Sequence, residues 1–147
     1  MSERAKLRAE DAEDLAVISA YLQDAVLKVG DLAYLPHQRR FAFVCNRFKW
    51  EELPAADARG IYHRARAGVH FDGVLKVQSS AIRRDARDAV LDLLSIGFDA
   101  KEEGAGTITL TFAGGAAIRI EAECIDVVLE DIGEPWGTRV KPGHDPD

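Results

Sequence analysis

The stretch TITLTFAGGAAIRIE, residues 107–121, decides how the chain is read. Apolar and polar residues alternate over 107–112 and again over 116–121, the period-two pattern of strands with one covered face. Gly114-Gly115 between them can supply the positive φ angles of a two-residue hairpin. Upstream, residues 83–98 fit two patterns. Ala86, Val90, Leu91 and Leu94 fit a helix, whereas Leu91, Leu93 and Ser95 against Asp92, Leu94 and Ile96 fit a strand covered on both faces. The strand, over 90–98, is preferred because it completes a meander of three.

Further upstream the same reasoning gives more strands. Segments 32–35 and 40–50 are joined by a turn at Pro36-His37-Gln38, where proline fixes φ and offers no donor to a ladder. Phe41, Phe43 and Cys45 share one face of 40–50, and Val44, Phe48 and Trp50 share the other. A polar, Ala- and Pro-containing loop over 51–60 precedes a strand over 62–71. Ala65, Ala67, Val69 and Phe71 lie on one side of it, Tyr62, Arg64, Arg66 and His70 on the other. Asp72-Gly73 is a tight-turn signal, and 74–78 is expected to return as the hairpin partner.

Two helices bracket these strands. Asp11 caps a first, whose stripe is Leu15, Ile18, Leu22, Ala25 and Val26, with a break at Gly30-Asp31. Cys124, Ile125, Val128, Leu129 and Ile132 space as the buried face of a second over 123–132. Gly133 ends it, Pro135 prevents resumption, and its carboxylates form a solvated face. The predicted fold is α+β: a curved antiparallel sheet, or partly open roll or barrel, with an N-terminal and a C-terminal helix. A pleckstrin-homology-like barrel is one member of that class. A single domain over 5–136 and a flexible tail over 137–147 complete the organisation.

The chain has 147 residues, 47% hydrophobic and 30% charged, which fits one globular domain and neither a fibrous nor a disordered polymer. The longest uncharged run, 104–118, carries four glycines, so no membrane span is expected. With no apolar stretch behind the first charges, the expected location is cytoplasmic. Cys45 and Cys124 are expected to be reduced core thiols. His37, His63, His70 and His144 make no short spacing with each other or with a cysteine, so neither metal nor cofactor is expected.

Charge is uneven. Residues 1–87 carry 15 Lys and Arg against 12 Asp and Glu, and residues 88–147 carry 4 against 13, which together give the net −6. Such a chain suits nucleic acid poorly, because phosphate attraction scales with the positive charge presented. A local basic face could still select an anion or an acidic partner. If strands 40–50 and 62–71 pair with their apolar faces matched, the opposite face gathers Asn46, Phe48 and Trp50 with Tyr62, Arg64 and Arg66. Aromatic rings interleaved with guanidinium groups can stack and bind anions together. The alternative is a second packing layer under the first helix. No phosphate-cradling glycine loop or nucleophile elbow is present.

The segments LRAEDAEDL (7–15), LQDA (22–25), RFAFVCNRFKWE (40–51) and FAGGAAIRIEAECI (112–125) together resemble an alphaproteobacterial family known as domain of unknown function 2948. The resemblance spans residues 5–136 and implies a bacterial, cytoplasmic, stand-alone domain. It carries no activity, cofactor or site residue. The expected function is a non-catalytic binding or adaptor domain that takes a protein partner or small anion at Asn46, Phe48, Trp50, Tyr62, Arg64, Arg66 and His70. A small enzyme at His70, Asp72 and Arg66 is the alternative, and weak nucleic-acid binding the third.

Overall fold

A computed structural model describes residues 3–143. Among them the elements run β1 (Lys6–Ala9), α1 (Ala12–Tyr21), β2 (Ala25–Lys28), β3 (Leu32–Leu35), β4 (Arg40–Phe48), α2 (Ala55–Arg59), β5 (Tyr62–Asp72), β6 (Val74–Ser80), β7 (Val90–Ala100), β8 (Gly106–Phe112), β9 (Ala117–Ala122) and β10 (Val127–Thr138). All pairings are antiparallel. The strands form one open sheet in the order β1-β10-β5-β4-β2-β7-β8-β9-β6, with β3 also bonded to β4. The concave face encloses one core that includes Phe41, Phe43, Phe71, Leu93, Ile108 and Ile120. No helix among the described residues is long and apolar enough to cross a membrane.

The meander is present as β7, β8 and β9, so 83–98 divides into an irregular segment and a strand. Pro36–Gln38 turns β3 into β4 as expected, with Arg39 in the left-handed region (φ 51°). α1 begins where expected, the Asp14 N–H donating to Asp11 Oδ1 at 2.8 Å. It ends at Tyr21, short of Ala25 and Val26. The chain turns at Asp24 (φ 63°), and Ala25–Lys28 is drawn into the ladder with β7. α1 sends Leu15, Ile18 and Leu22 into the core between β1 and β7. Its Ser19 Oγ accepts the Ile96 N–H (2.8 Å) just beyond a bulge in β7.

Several expectations are corrected. β6 does not return along β5: both edges of β5 are occupied, by β4 and β10, and β6 pairs with β9 instead. The chain leaves β5 at Gly73 (φ 71°) through a corner where Asp72 N–H donates to Asp126 O, Glu123 N–H to Gly73 O and Val74 N–H to Arg39 O. There is no helix over 123–132. Val127–Thr138 is a strand inserted between β1 and β5, so the helix-terminated order that suggested a pleckstrin-homology-like barrel is not the order found. Gly137 and Thr138, expected in the tail, pair with His63 and Tyr62, while residues 144–147 lie outside the described residues. Of the two thiols, Cys45 is buried, and burial pushes its pKa up to about 12. Cys124 is exposed rather than part of the core.

The strand in place of the second helix has an electrostatic cause. Asp131, expected on a solvated helix face, is 4% exposed and points into the protein. Its carboxylate accepts from Arg47 Nε (2.8 Å) and Nη2 (2.9 Å) and from the Ala5 N–H (2.9 Å). Arg47, fully buried at the inward end of β4, also donates to both oxygens of Glu51 (2.9 and 2.7 Å), and the Tyr21 ring lies 5.2 Å from its guanidinium. Lys49, equally enclosed, donates to the Glu3 carbonyl and stands 3.8 Å from Asp131 and from Glu52. Burial alone would raise the Asp131 carboxyl, but the Arg47 hydrogen bonds, the Ala5 amide and the two cations hold it below the usual carboxylate range. Arg47 is likewise held charged: burial opposes its charge, and the bonds from Glu51 and Asp131 prevail.

Because the folded Asp131 value lies below an unfolded value of about 3.9, the stabilisation is complete above that pH and is lost as pH falls through the folded value. Asp131→Asn should cost about 3–5 kcal/mol near neutral pH, the penalty of stranding a buried cation. In urea unfolding, the gap between native protein and variant should narrow below about pH 4. A gap under about 1 kcal/mol, or one insensitive to acid, would refute this role for the pair.

Candidate binding face

β4 and β5 pair in the register that matches their apolar faces: Phe41 opposes Phe71, Phe43 Val69 and Cys45 Ala67. Alternation therefore sends the other set outward, where Asn46 opposes Arg66 and Phe48 opposes Arg64. Trp50, just beyond β4, packs its ring edge on Phe48 with centroids 4.6 Å apart, and Tyr62 stands 5.6 Å from Phe48. The Arg64 guanidinium covers Phe48 at 5.8 Å. The structure thus brings Asn46, Phe48, Trp50, Tyr62, Arg64 and Arg66 together.

Their surroundings differ. Phe48 is fully buried and works as packing. The Trp50 indole donates to the Gln23 carbonyl (2.8 Å), joining the segment after α1 to the sheet. The Tyr62 hydroxyl donates to Asp57 Oδ1 (2.6 Å), a bond that raises the phenol pKa and lowers that of the carboxyl. Arg66 is exposed, and its one side-chain hydrogen bond among the described residues is a long one, 3.5 Å to Asn46 Oδ1. The aromatic part of the face is an internally satisfied layer. Its free chemistry lies at Arg66.

His70 shares this face of β5, two rungs beyond Gly68. Its Nδ1 lies 3.0 Å from Asp72 Oδ2, and Asp72 is held by Arg40 through Nε (2.8 Å) and Nη2 (3.2 Å). Burial pushes the Asp72 carboxyl up, but the Arg40 bond and charge, aided by His70, leave it lowered. Arg66, the third member of the expected enzyme site, bonds to Asn46 instead.

β10 adds residues that the sequence reading placed on a helix or just beyond its end. Ile132 pairs with Arg66 and Trp136 with Arg64, and both stay exposed, at 41% and 42%. Between them a bulge with Gly133 at φ 74° spreads the strand. Beside them a groove of about 340 Å³ runs over Ala42, Val44, Gly68 and Ile132 toward Arg40 and His70, with Asp31 and Glu130 on its border. A Cβ on Gly68 would meet nothing within 4 Å, so the groove floor is open there. The signal for β10 was the β-branched Val127-Val128, masked by the inward Asp131.

Much of the charge asymmetry is neutralised internally. Arg8 pairs with Asp126, Arg39 with Glu123, Arg47 with Asp131 and Lys101 with Glu121. Three of these pairs join a basic residue of the first part to an acidic residue of the second.

The chain belongs to the family described as Protein of unknown function (DUF2948), whose family model matches residues 5–144. No match is found among curated proteins or among solved structures.

The two arginines should separate in a stability measurement. Arg64→Ala uncovers Phe48 and should cost about 0.5–1 kcal/mol, whereas Arg66→Ala should stay within about 0.5 kcal/mol of the native protein. Equal losses in chemical denaturation would mean that Arg66 is also part of the packing.

Proposed function

We propose that the protein is a non-catalytic binding domain whose outer β4–β5–β10 face takes an acidic segment of a protein partner. The observation that carries this reading is Arg66, an exposed guanidinium with a single long hydrogen bond among the described residues, set beside exposed Ile132 and Trp136 on paired strands. A cation flanked by large apolar groups suits a carboxylate next to an apolar side chain, and arginine and tryptophan are frequent anchors of interfaces. The pairing of Arg39, Arg40 and Arg47 with carboxylates argues against a phosphate-tracking surface. A second reading, a small enzyme, is favoured by the His70–Asp72 pair at the end of the groove. Among the described residues that ring bonds only to Asp72, and Asp72 is itself engaged by Arg40.

Capture from the native cell lysate, after nuclease treatment, tests the proposal. A protein retained by the tagged native chain should be lost by at least about tenfold on Arg66→Glu, with the melting temperature unchanged. Equal retention by both forms, or recovery that disappears with nuclease, would overturn it.

A further inference from the structure

We infer that the open seam of the sheet, between β3 and β6, is a pocket for a small organic carboxylate with an apolar body. The seam arises where the neighbours of β4 divide. β2 carries the sheet onward to β7, a 3-10 turn over Val29–Asp31 follows, and β3 then pairs with β4 alone. Among the described residues β6 pairs with no strand but β9, so the far edges of β3 and β6 carry no neighbouring strand. Residues of both strands line one cavity of about 280 Å³. Its apolar wall includes Val29, Leu32, Phe41 and Ile118, and Arg84 and Arg87 also line it.

The segment carrying these arginines is held in place. Gly30 N–H donates to the Arg87 carbonyl (2.8 Å), Val29 N–H to the Ala89 carbonyl (2.9 Å), and Arg87 Nη2 to the Gly30 carbonyl (3.3 Å). A Cβ on Gly30 would lie 3.1 Å from the Arg87 carbonyl oxygen and 3.4 Å from Nη2, so the close approach depends on glycine. The nearby carboxylates Asp85 and Asp88 pair with Arg83 and Lys28. Arg84 is exposed and has no hydrogen bond or ion pair with the described residues.

The chemistry follows from this contrast. A guanidinium beside an apolar cavity favours an anion whose charge stays near water while its body displaces solvent inside. A hydrated polyanion without an apolar body would lose hydration against Val29, Leu32 and Phe41 with nothing in return. At about 30 Å³ for each heavy atom, the share of one water in the liquid, the cavity suits a body of roughly ten non-hydrogen atoms. This site is independent of the protein-docking face proposed above.

Octanoate and its neutral counterpart octanamide are suitable probes, titrated into the full-length labelled chain and followed by heteronuclear NMR. Octanoate should bind saturably, with shifts confined to residues 29–34, Phe41, 77–87 and Ile118. Octanamide should bind at least about tenfold more weakly, and Arg84→Gln should weaken octanoate by about the same factor. Ile82→Trp, which fills the cavity and keeps both arginines, should abolish binding. Absence of saturable octanoate binding, equal binding of octanamide, indifference to Arg84→Gln or shifts elsewhere would each overturn the assignment.

Discussion

The buried pairing of Arg47 with Asp131 is the constraint on which the rest of the structure depends. It joins residues 84 positions apart and connects β4 to β10 across β5, the central strand of the candidate face. The Ala5 amide binds the same carboxylate, which fixes the segment leading into β1. Glu51 binds the same guanidinium, which fixes the turn after β4, and Tyr21 brings the end of α1 against it. Two charges taken out of water are costly unless their hydrogen-bonding capacity is met. Here it is met by bonds among Ala5, Arg47, Glu51 and Asp131, with the Tyr21 ring packed beside them. The register of β10 follows, since a one-residue slip would turn Asp131 outward and leave buried Arg47 with Glu51 as its one remaining carboxylate among those named.

From that register the outer face follows. With Asp131 inward, Ile132 points outward beside Arg66, and the bulge at Gly133 brings Trp136 opposite Arg64. The inner network and the proposed docking face are two sides of the same strands. The aromatic cluster of Phe48, Trp50 and Tyr62 lies between them as a packing layer, and the less enclosed residues around it are the ones open to the proposed partner. The face therefore divides into packing around Phe48 and exposed side chains around Arg66, where the proposed docking would take place.

The seam between β3 and β6 has a different origin. A strand has only two edges, and β4 gives one of its edges to β2 and β3 in succession. Once β2 has continued the sheet toward β7, β3 has no further partner, and β6 on the far side has none either. The polar demand of two free edges and the apolar core behind them meet at one opening. The segment with Arg84 and Arg87 crosses it, anchored on the Gly30 backbone. An incompletely closed sheet thereby places cations beside an apolar cavity.

Local pattern was sufficient wherever the partner of a strand is its neighbour in sequence. The meander of β7, β8 and β9, the β3–β4 hairpin and the cap at Asp11 were all legible, because alternation, turn chemistry and capping act over a few residues. The β4–β5 register, and with it the gathering of Asn46, Phe48, Tyr62, Arg64 and Arg66, was legible too, since only one alignment matches the apolar faces. The second group of features depended on distant partners. Val127–Thr138 reads locally as a helix because its inward Asp131 breaks the strand alternation, and Arg47 lies far away in sequence. The Asp72-Gly73 turn was recognised, but the fate of β6 was set by β10 having already occupied the edge of β5. By itself the sequence determined which segments extend, where they turn and which faces are apolar. Only the tertiary structure decided which edges were taken and which buried charges met, because both depend on groups that become neighbours only when the chain folds.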